Sequence, residues 1–337
     1  MSSPAALTLL DLIQSHRITA TIYVAAKLGI ADLLSSGAKP FDDLAAATGA
    51  DRCALARLLA ALSTIGICER TEHDHYALTA TGAALASTAR PSFKAWAIFE
   101  GEMLSRSWAG MLETIMTGKT AAQLRGFNSS FDMMATAPDQ VRIFNAAMAD
   151  LTGLVTADLL NAYDFGRFSH LMDVGGGSGE LIGAVLMRYP QIRGTIFDLA
   201  RCAADANAHL AELKMTDRAN FLAGDFFVSV PGIADVIILK SVIHDWDDER
   251  SHAILHNCRQ ALPARGTLLL VERIMPEALL ACDEHKSHAL SDLNMLRGPG
   301  GQERAEVQYR ELLRRAGLRT ASITPAGRFA VIEAVPA

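Results

Sequence analysis

Cysteine is scarce and scattered in this chain. The five cysteines are Cys53, Cys68, Cys202, Cys258 and Cys282. An odd, dispersed set without a C-x-x-C pair is typical of reduced thiols in a cytoplasmic protein, and it argues against a disulfide framework or a cysteine zinc site. The ten histidines show no metal-ligand spacing either. We therefore expect a cytoplasmic protein without a bound metal.

Long apolar runs and a basic charge are also lacking. Half of the 337 residues are apolar, yet no run reaches the ~18–20 residues that cross a bilayer. The longest candidate, ADVIILKSVI, contains Lys240, and Asp11 interrupts the apolar N-terminal stretch, so we expect neither a membrane span nor a secretory signal. The formal net charge of −6 argues against nucleic-acid binding. The length predicts one large domain or two ordinary ones.

The first half of the chain, to about residue 165, has an almost wholly helical pattern. Within it, residues 41–81 follow a winged-helix order. FDDLAAATGA predicts a short helix ending at Gly49, Asp51 is a candidate N-cap for the next helix, and CERTEHDHYALTATG predicts two short strands around a polar turn. A winged helix can bind DNA, but this one has an acidic wing and few arginines. We therefore favour a packing or dimerising role.

Two other helical stretches carry unusual apolar content. Residues 7–34 predict two segments rich in Leu, Ile and Ala, whose apolar surface would pack against a second subunit or within the core of one chain. Residues 93–165 have an excess of Met, Phe and Trp, which adapt to flat apolar ligands but also fill ordinary helix cores. Within this stretch we expect Phe144 and Met148 to face a ligand.

From about residue 168 onward, short apolar runs alternate with helical patterns. HLMDV, GTIFDL, NFLAG, ADVIILK and GTLLLVE read as strands separated by helices, which predicts a parallel, doubly wound α/β sheet. The last two runs, RTASITP and RFAVIEAV, meet at Ala326-Gly327 and predict a hairpin that adds an antiparallel strand. Such a sheet binds its ligand at the carboxyl ends of its strands.

Four glycines follow the first of these strands, in LMDVGGGSGE. Glycine permits a sharp turn and a close approach of the ligand to the backbone, although glycine-rich turns also occur without ligands. The spacing from Gly175 is G-x-G-x-G, and Glu180 stands where a dinucleotide fingerprint needs its third glycine. Asp173, just before the turn, would repel a pyrophosphate but suits an ammonium group. The pattern therefore disfavours a dinucleotide.

The next two strands end in residues that suit a nucleoside. Asp198 ends the second strand, where a carboxylate accepts ribose hydroxyls, and Asp225 and Phe226 follow the third. An aspartate there can accept from an exocyclic amine, and a phenylalanine can pack on a purine face. A nucleoside that bears an amino acid and no phosphate fits all of these positions, and S-adenosylmethionine is such a molecule.

Six motifs occur together in an order and spacing typical of a known family: DVGGGSG, FDL, GDFF, LKSVIHDWDDE, LLLVERIMP and GPGGQER. Residues 168–275 resemble the class I S-adenosylmethionine-dependent methyltransferases, and residues from about 10 to 335 resemble the plant-type small-molecule O-methyltransferases. The resemblance implies a Rossmann-like methyltransferase sheet and a winged-helix dimerisation domain. We expect a dimerisation domain over 1–100, a helical linker over 101–165 that contributes to the substrate pocket, and a catalytic domain over 166–337.

The resemblance also implies roles for individual residues. His244, in HDW, corresponds to the family's general base, and Glu272 and Glu303 correspond to the acidic residues that orient it. Asn294 and Met295 fall where the family lines its acceptor pocket. The expected cofactor contacts are Gly175, Gly177, Asp198, Asp225, Phe226 and Lys240.

The expected activity is methyl transfer from S-adenosylmethionine to a hydroxyl of a flat phenolic or heteroaromatic metabolite, without a metal, by a homodimer in secondary metabolism. A positioned histidine would remove the hydroxyl proton. N-methylation, hydroxylation and decarboxylation on the same fold stay open as alternatives, although the intact His244 argues against the last two. A winged-helix regulator that senses S-adenosylmethionine is a further alternative.

Overall fold

The computed structural model describes residues 3–337, which form two compact units. The first unit contains the N-terminal residues up to Ala109 together with Pro138–Leu151. The second contains Gly110–Ala137 and Thr152–Ala337. The three segments predicted above, 1–100, 101–165 and 166–337, were defined by their expected roles and not by compactness. Those roles stay predictions.

The first unit is mainly helical. Its helices are α1 (Pro4–Gln14), α2 (His16–Lys27), α3 (Ile30–Leu34), α4 (Phe41–Thr48), α5 (Arg52–Thr64), α6 (Ala80–Ala83), α7 (Lys94–Phe99) and α8 (Ser105–Trp108). Its strands are β1 (Lys39–Pro40), β2 (Cys68–Arg70) and β3 (His75–Leu78), paired antiparallel in the order β1-β3-β2.

The winged-helix pattern predicted over 41–81 is confirmed. Gly49 adopts a left-handed conformation that ends α4, as glycine commonly does at a helix C-terminus. The Asp51 carboxylate caps α5 by accepting from the backbone N–H of Ala54 at 2.8 Å. Buried leucines of α4 and α5 pack in one apolar core with α2 and α3.

The second unit holds the sheet. Its helices are α9 (Met111–Thr117), α10 (Ser130–Ala135), the part of α11 (Pro138–Ala162) that begins at Thr152, α12 (Glu180–Arg188), α13 (Ala203–Glu212), α14 (Asp248–Ala261), α15 (Asp283–Arg297) and α16 (Glu306–Arg315). Its strands are β4 (His170–Val174), β5 (Arg193–Asp198), β6 (Ala219–Ala223), β7 (Val236–Lys240), β8 (Thr267–Glu272), β9 (Ile274–Met275), β10 (Arg304–Ala305), β11 (Leu318–Ala326) and β12 (Phe329–Pro336).

Seven strands form one mixed sheet in the order β11-β12-β8-β7-β4-β5-β6. Strands β6, β5, β4, β7 and β8 are parallel, and β12 is antiparallel to both β8 and β11. The doubly wound sheet and the closing hairpin predicted from the sequence are therefore confirmed. Leu268 and Leu270 of β8 pack in one apolar cluster, whereas Leu269 and Val271 pack in another. The two clusters lie on opposite faces of the sheet, because successive side chains of a strand point to opposite faces.

A short parallel pair, β9 with β10, was not expected from the sequence. Arg304 pairs with Ile274 and Ala305 with Met275. The pair brings the segment that precedes α16 against the segment that follows β8. It thereby places Glu303 and Glu272, which are far apart in sequence, beside each other.

Within residues 3–337, helix α11 alone is long and apolar enough to cross a membrane, judged by length and composition. The mean hydropathy of its most apolar 18-residue window is 1.3. A single helix of this kind is weak evidence, because long helices of globular proteins pass the same test. Its residues belong to the two compact units described above. The cytoplasmic location stays a prediction.

Candidate active site

Polar residues gather at one edge of the sheet, where the parallel strands end. Asp173 lies in β4, Asp198 ends β5, Lys240 ends β7 and Glu272 ends β8. Because parallel strands present their carboxyl ends at the same edge, the sheet brings these four residues to one rim. This rim is where an open α/β sheet binds its ligand.

The turn between β4 and α12 depends on its glycines. Gly175 has φ +75°, and a Cβ there would lie 2.9 Å from the Val242 side chain. A Cβ on Gly176 would lie 2.8 Å from the carboxyl group of Asp173. The N–H of Gly177 donates to Asp198 Oδ2 at 2.8 Å. The turn is therefore a bare backbone cradle tied to the end of β5.

Two ionisable side chains flank this cradle, the buried Asp173 and the partly buried Lys240. Burial raises the pKa of Asp173 to about 7, although Lys240 opposes the shift. Burial lowers the pKa of Lys240 to about 8, against the opposing field of Asp173. Lys240 Nζ donates to Thr152 Oγ1 at 3.0 Å. A carboxyl and an amine beside a glycine cradle are suited to the charged groups of an amino acid.

Asp225 and Phe226 lie after β6. Asp225 Oδ1 accepts from the N–H of Phe227 at 2.8 Å, and the Phe226 carbonyl accepts from Asn257 Nδ2 at 2.8 Å, so both are held by local hydrogen bonds. The Phe226 ring lies 4.9 Å from the Phe227 ring and 6.2 Å from that of Trp246. With Asp198, they place carboxylates and an aromatic ring just beyond the carboxyl ends of β5 and β6.

His244 lies in a short 3₁₀ turn, Ile243–Asp245, after β7. Its Nδ1 is 3.3 Å from Glu303 Oε1 and 3.6 Å from Glu272 Oε2. Its Nε2 is 3.6 Å from Asp245 Oδ1. The structure thus brings together the three residues predicted to be catalytic, and the two glutamates face the same ring nitrogen.

The carboxylates around His244 determine its protonation. Burial lowers the pKa of His244, but Glu272, Glu303 and Asp245 together outweigh that effect and raise the pKa to about 10. Burial raises the pKa of Glu272 to about 7. Burial also acts to raise the pKa of Glu303, but hydrogen bonds from His244 and Ser291 bring it below its usual value. The three carboxylates therefore favour the protonated form of His244, and His244 and Ser291 favour the ionised form of Glu303.

Each glutamate is fixed by further hydrogen bonds. Glu272 Oε1 accepts from the N–H groups of Val242 and Ile243 at 3.0 and 2.8 Å. Glu303 Oε1 accepts from Ser291 Oγ at 2.7 Å, and Glu303 N donates to Asp292 Oδ1 at 2.9 Å. Neither carboxylate can turn away from the imidazole without breaking the bonds that its Oε1 accepts, and the bond to Asp292 fixes the backbone of Glu303.

The four residues predicted to bind the acceptor lie in different places. Asn294 and Met295 lie on α15, one turn after Ser291, and Asn294 Oδ1 accepts from the Arg297 guanidinium. Phe144 and Met148 lie on α11 within the first unit, in an apolar cluster with Phe99, and the Phe144 and Phe99 rings are 5.7 Å apart. Their contact with an acceptor stays a prediction.

Sequence reasoning overlooked part of this site. Asp245 is partly buried, with 22% of its side chain exposed, and desolvation raises its pKa to about 6, yet its place in HDW, next to the histidine, was the only signal. Ser291 could have been found from its helical spacing to Asn294. Among residues 3–337, no group of His, Cys, Asp and Glu side chains is placed to hold a metal ion.

The chain matches two families. Residues 108–319 match the O-methyltransferase domain family. Residues 10–88 match the O-methyltransferase dimerisation domain family. The first match covers more than half of the chain and contains the glycine cradle and the His244 turn.

Individual relatives match along nearly the whole chain. A phenazine O-methyltransferase of Lysobacter antibioticus is 40% identical over 99% of this chain and 97% of the relative. A phenazine-1-carboxylate N-methyltransferase of Pseudomonas aeruginosa is 30% identical over 93% of this chain and 92% of the relative. The crystal structure of LaPhzM is 39% identical, covers 99% of this chain and 100% of its own, and superimposes with a TM-score of 0.93.

Solved relatives of this fold hold S-adenosylmethionine or S-adenosylhomocysteine. The glycine cradle, with Asp173 and Lys240 beside it, fits that cofactor, since a bare backbone, a carboxyl and an amine match an adenosyl amino acid. The chain therefore belongs to the S-adenosylmethionine-dependent small-molecule O-methyltransferase family, whose cofactor it uses.

Proposed function

We propose that this enzyme methylates a hydroxyl group of a flat aromatic metabolite and that His244 is the general base. The observation that carries the proposal is the placement of Glu303 and Glu272 at Nδ1 of His244, at 3.3 and 3.6 Å. A carboxylate at Nδ1 holds the tautomer in which Nδ1 keeps its hydrogen. The lone pair of neutral His244 is then on Nε2.

The protein's part in the reaction is to remove a proton from the acceptor. When bound, the cofactor would supply a methyl group on a positively charged sulfur, and that sulfur is the leaving group. A phenol with a pKa of ~10 is mostly neutral at pH 7, so Nε2 of His244 accepts the phenol's proton as its oxygen forms a bond to the methyl carbon. Glu303 and Glu272 stabilise the imidazolium that results.

The proton already on His244 must leave before this step. The surrounding carboxylates raise the pKa of His244 to about 10, which favours the protonated form. A positive charge bound at the rim of the sheet lowers the pKa of a nearby imidazole, because it destabilises the charged form. We therefore infer that cofactor binding helps His244 to reach its neutral, basic form.

The proposed residues at the cofactor are Gly175, Gly177, Asp198, Asp225, Phe226 and Lys240. The proposed residues at the acceptor are Phe144, Met148, Asn294 and Met295. A fused aromatic acceptor is supported by the names of the relatives, which act on phenazines. Met and Phe side chains provide adaptable apolar surfaces for such a ring system.

Replacement of His244 by alanine tests the role of the base. We expect kcat to fall by about 10²–10⁴-fold, the usual contribution of a positioned base. Cofactor affinity, measured by calorimetry, should stay unchanged. The control is His256→Ala, which removes an exposed histidine of α14. Full turnover of a true acceptor by His244→Ala would refute the assignment.

Methylation of a ring nitrogen is the second candidate, because one relative is named an N-methyltransferase. A pyridine-type nitrogen carries a lone pair and no hydrogen, so it needs no base. His244→Ala would then leave the rate nearly unchanged, and NMR of the product would show the methyl group on nitrogen. This outcome separates the two candidates.

We further propose that the enzyme is a homodimer through its N-terminal helices, in the cytoplasm. Helix α1 has no buried residue, and Leu9, Leu12 and Ile13 are more than half exposed. Apolar side chains exposed in a row are typical of a protein interface. Light scattering should give twice the chain mass, and Leu12→Glu should shift it toward the monomer.

A further inference from the structure

The turn that carries His244 is in close contact with the segment Gly301–Arg304. The N–H of Gln302 donates to the His244 carbonyl at 2.9 Å. A Cβ on Gly301 would lie 2.0 Å from the same carbonyl oxygen and 2.4 Å from the Asp245 carbonyl carbon. Two stretches of backbone therefore touch here with no room for a side chain.

Arg304 binds this turn with its whole guanidinium group. Nη1 donates to the Ile243 carbonyl at 3.0 Å, and Nη2 donates to the Trp246 carbonyl at 2.7 Å. These two carbonyls lie on either side of His244 in the chain. Nε and Nη2 also donate to Asp248 Oδ1 at 3.0 and 2.8 Å.

The burial of Arg304 is complete, with 0% of the residue exposed. An ionised group is costly to bury unless it is paired and hydrogen-bonded. The planar fork of a guanidinium meets three acceptors in fixed directions, which the single ammonium of lysine cannot do. The site thus uses a property specific to arginine.

The turn is consequently held from two sides. Glu272 accepts from the N–H groups of Val242 and Ile243, and Arg304 donates to the carbonyls of Ile243 and Trp246. The two residues belong to β8 and β10, so the short β9–β10 pair fixes them relative to each other. Together they fix the backbone conformation that determines where the imidazole points.

We propose that Arg304 is a positioning residue for methyl transfer, which holds the His244 turn so that Nε2 stays in line with the acceptor hydroxyl. The inference rests on the proposed role of His244 as the base. A base displaced by 1 Å loses about 10²-fold in rate. The alternative is that Arg304 only stabilises the fold, and it predicts different kinetics.

The test is Arg304→Lys, which keeps the charge but loses the fork. We expect kcat to fall by about 10–100-fold, with each KM changed by less than about threefold. The matched control is Arg315→Lys, in which an exposed arginine that pairs with Glu249 of α14 is changed in the same way. It should retain the wild-type kcat.

A double-mutant cycle with His244→Ala separates positioning from general stabilisation. If Arg304 acts through His244, then Arg304→Lys has no further effect on kcat once His244 is alanine. An equal loss in both backgrounds would overturn the proposal. Full activity of His244→Ala alone would refute the proposed base and, with it, the positioning role of Arg304, whereas an equal loss in both backgrounds refutes only the positioning role.

Asp248→Asn provides a second route if Arg304→Lys does not fold. Asp248 is half exposed, and asparagine keeps an acceptor for Arg304 without the charge. We expect a smaller loss of kcat, about threefold to tenfold, because only one of three acceptors is weakened. The loss should again disappear in the His244→Ala background, and its persistence there would contradict the proposal.

Discussion

The glycine cradle and the His244 turn lie at the same rim of the sheet but are built in opposite ways. The cradle is one continuous stretch, Gly175–Gly179, shaped by left-handed glycines. The His244 turn gains its geometry from residues distant in sequence, with Glu272, Glu303 and Arg304 each on a different element or loop. A site made of backbone is visible in a sequence, whereas a site made of buried charges depends on the tertiary fold.

Gly175→Ala tests the backbone half of the comparison and should have the largest effect on cofactor binding. Alanine at φ +75° is strained, and its Cβ would meet Val242 at 2.9 Å. Relief of such strain by a shift of the loop should weaken cofactor affinity by about 10²-fold. Calorimetry with S-adenosylhomocysteine measures it.

Gly118→Ala is the matched control for this variant. Gly118 has φ +69°, but a Cβ there would meet nothing within 4 Å. It should lower stability by about 1–2 kcal/mol, the usual left-handed penalty, and leave cofactor affinity unchanged. Equal losses of cofactor affinity in Gly175→Ala and Gly118→Ala would contradict a specific role of the cradle in cofactor binding.

Glu272→Gln tests the charged half and should have an intermediate effect. Glutamine keeps an acceptor for Val242 and Ile243, but its amide N–H₂ would face Nδ1 and favour the wrong tautomer of His244. We expect kcat to fall by about 10–100-fold, part of the 10²–10⁴-fold that a base supplies. Steady-state kinetics and calorimetry should show the loss in kcat, not in cofactor affinity.

Glu272→Ala should behave differently from Glu272→Gln. It leaves two buried backbone N–H groups without an acceptor, so the free energy of unfolding should fall by about 2–6 kcal/mol. Urea denaturation measures this difference. If the two variants have the same free energy of unfolding, the acceptor oxygen at position 272 does not support the turn.

Glu303→Gln should have the smallest effect on rate and the clearest effect on pH dependence. Only neutral His244 accepts a proton, so kcat/KM for the cofactor should rise with pH toward the pKa of about 10 in the free enzyme. Removing the negative charge of Glu303 lowers that pKa, so the rising limb should move to lower pH. Glu306→Gln, at an exposed glutamate paired with Arg310, should not move it.

The strands of the sheet were predictable from the sequence because each is a short apolar run that ends at polar residues or glycine. HLMDV became β4 without change, and the polar residues after each strand came to one rim. The role of Arg304 was not predicted, because it depends on the two-residue β9–β10 pair. Pairs that short have no periodicity in the sequence, and they form only because the surrounding fold brings the segments together.

The antiparallel strand β12 has a consequence for synthesis of the enzyme. Residues Ala330–Ala334 pair with Leu268–Glu272, so β8 lacks one neighbour until β12 has been made. Strand β12, which pairs with Glu272 through Ala330, is therefore made after nearly all of the other described elements have been synthesised. A substitution at Ala330 that disturbs its pairing with Glu272 should therefore lower kcat more than cofactor affinity, because β12 lies three strands away from β4 and its glycine cradle.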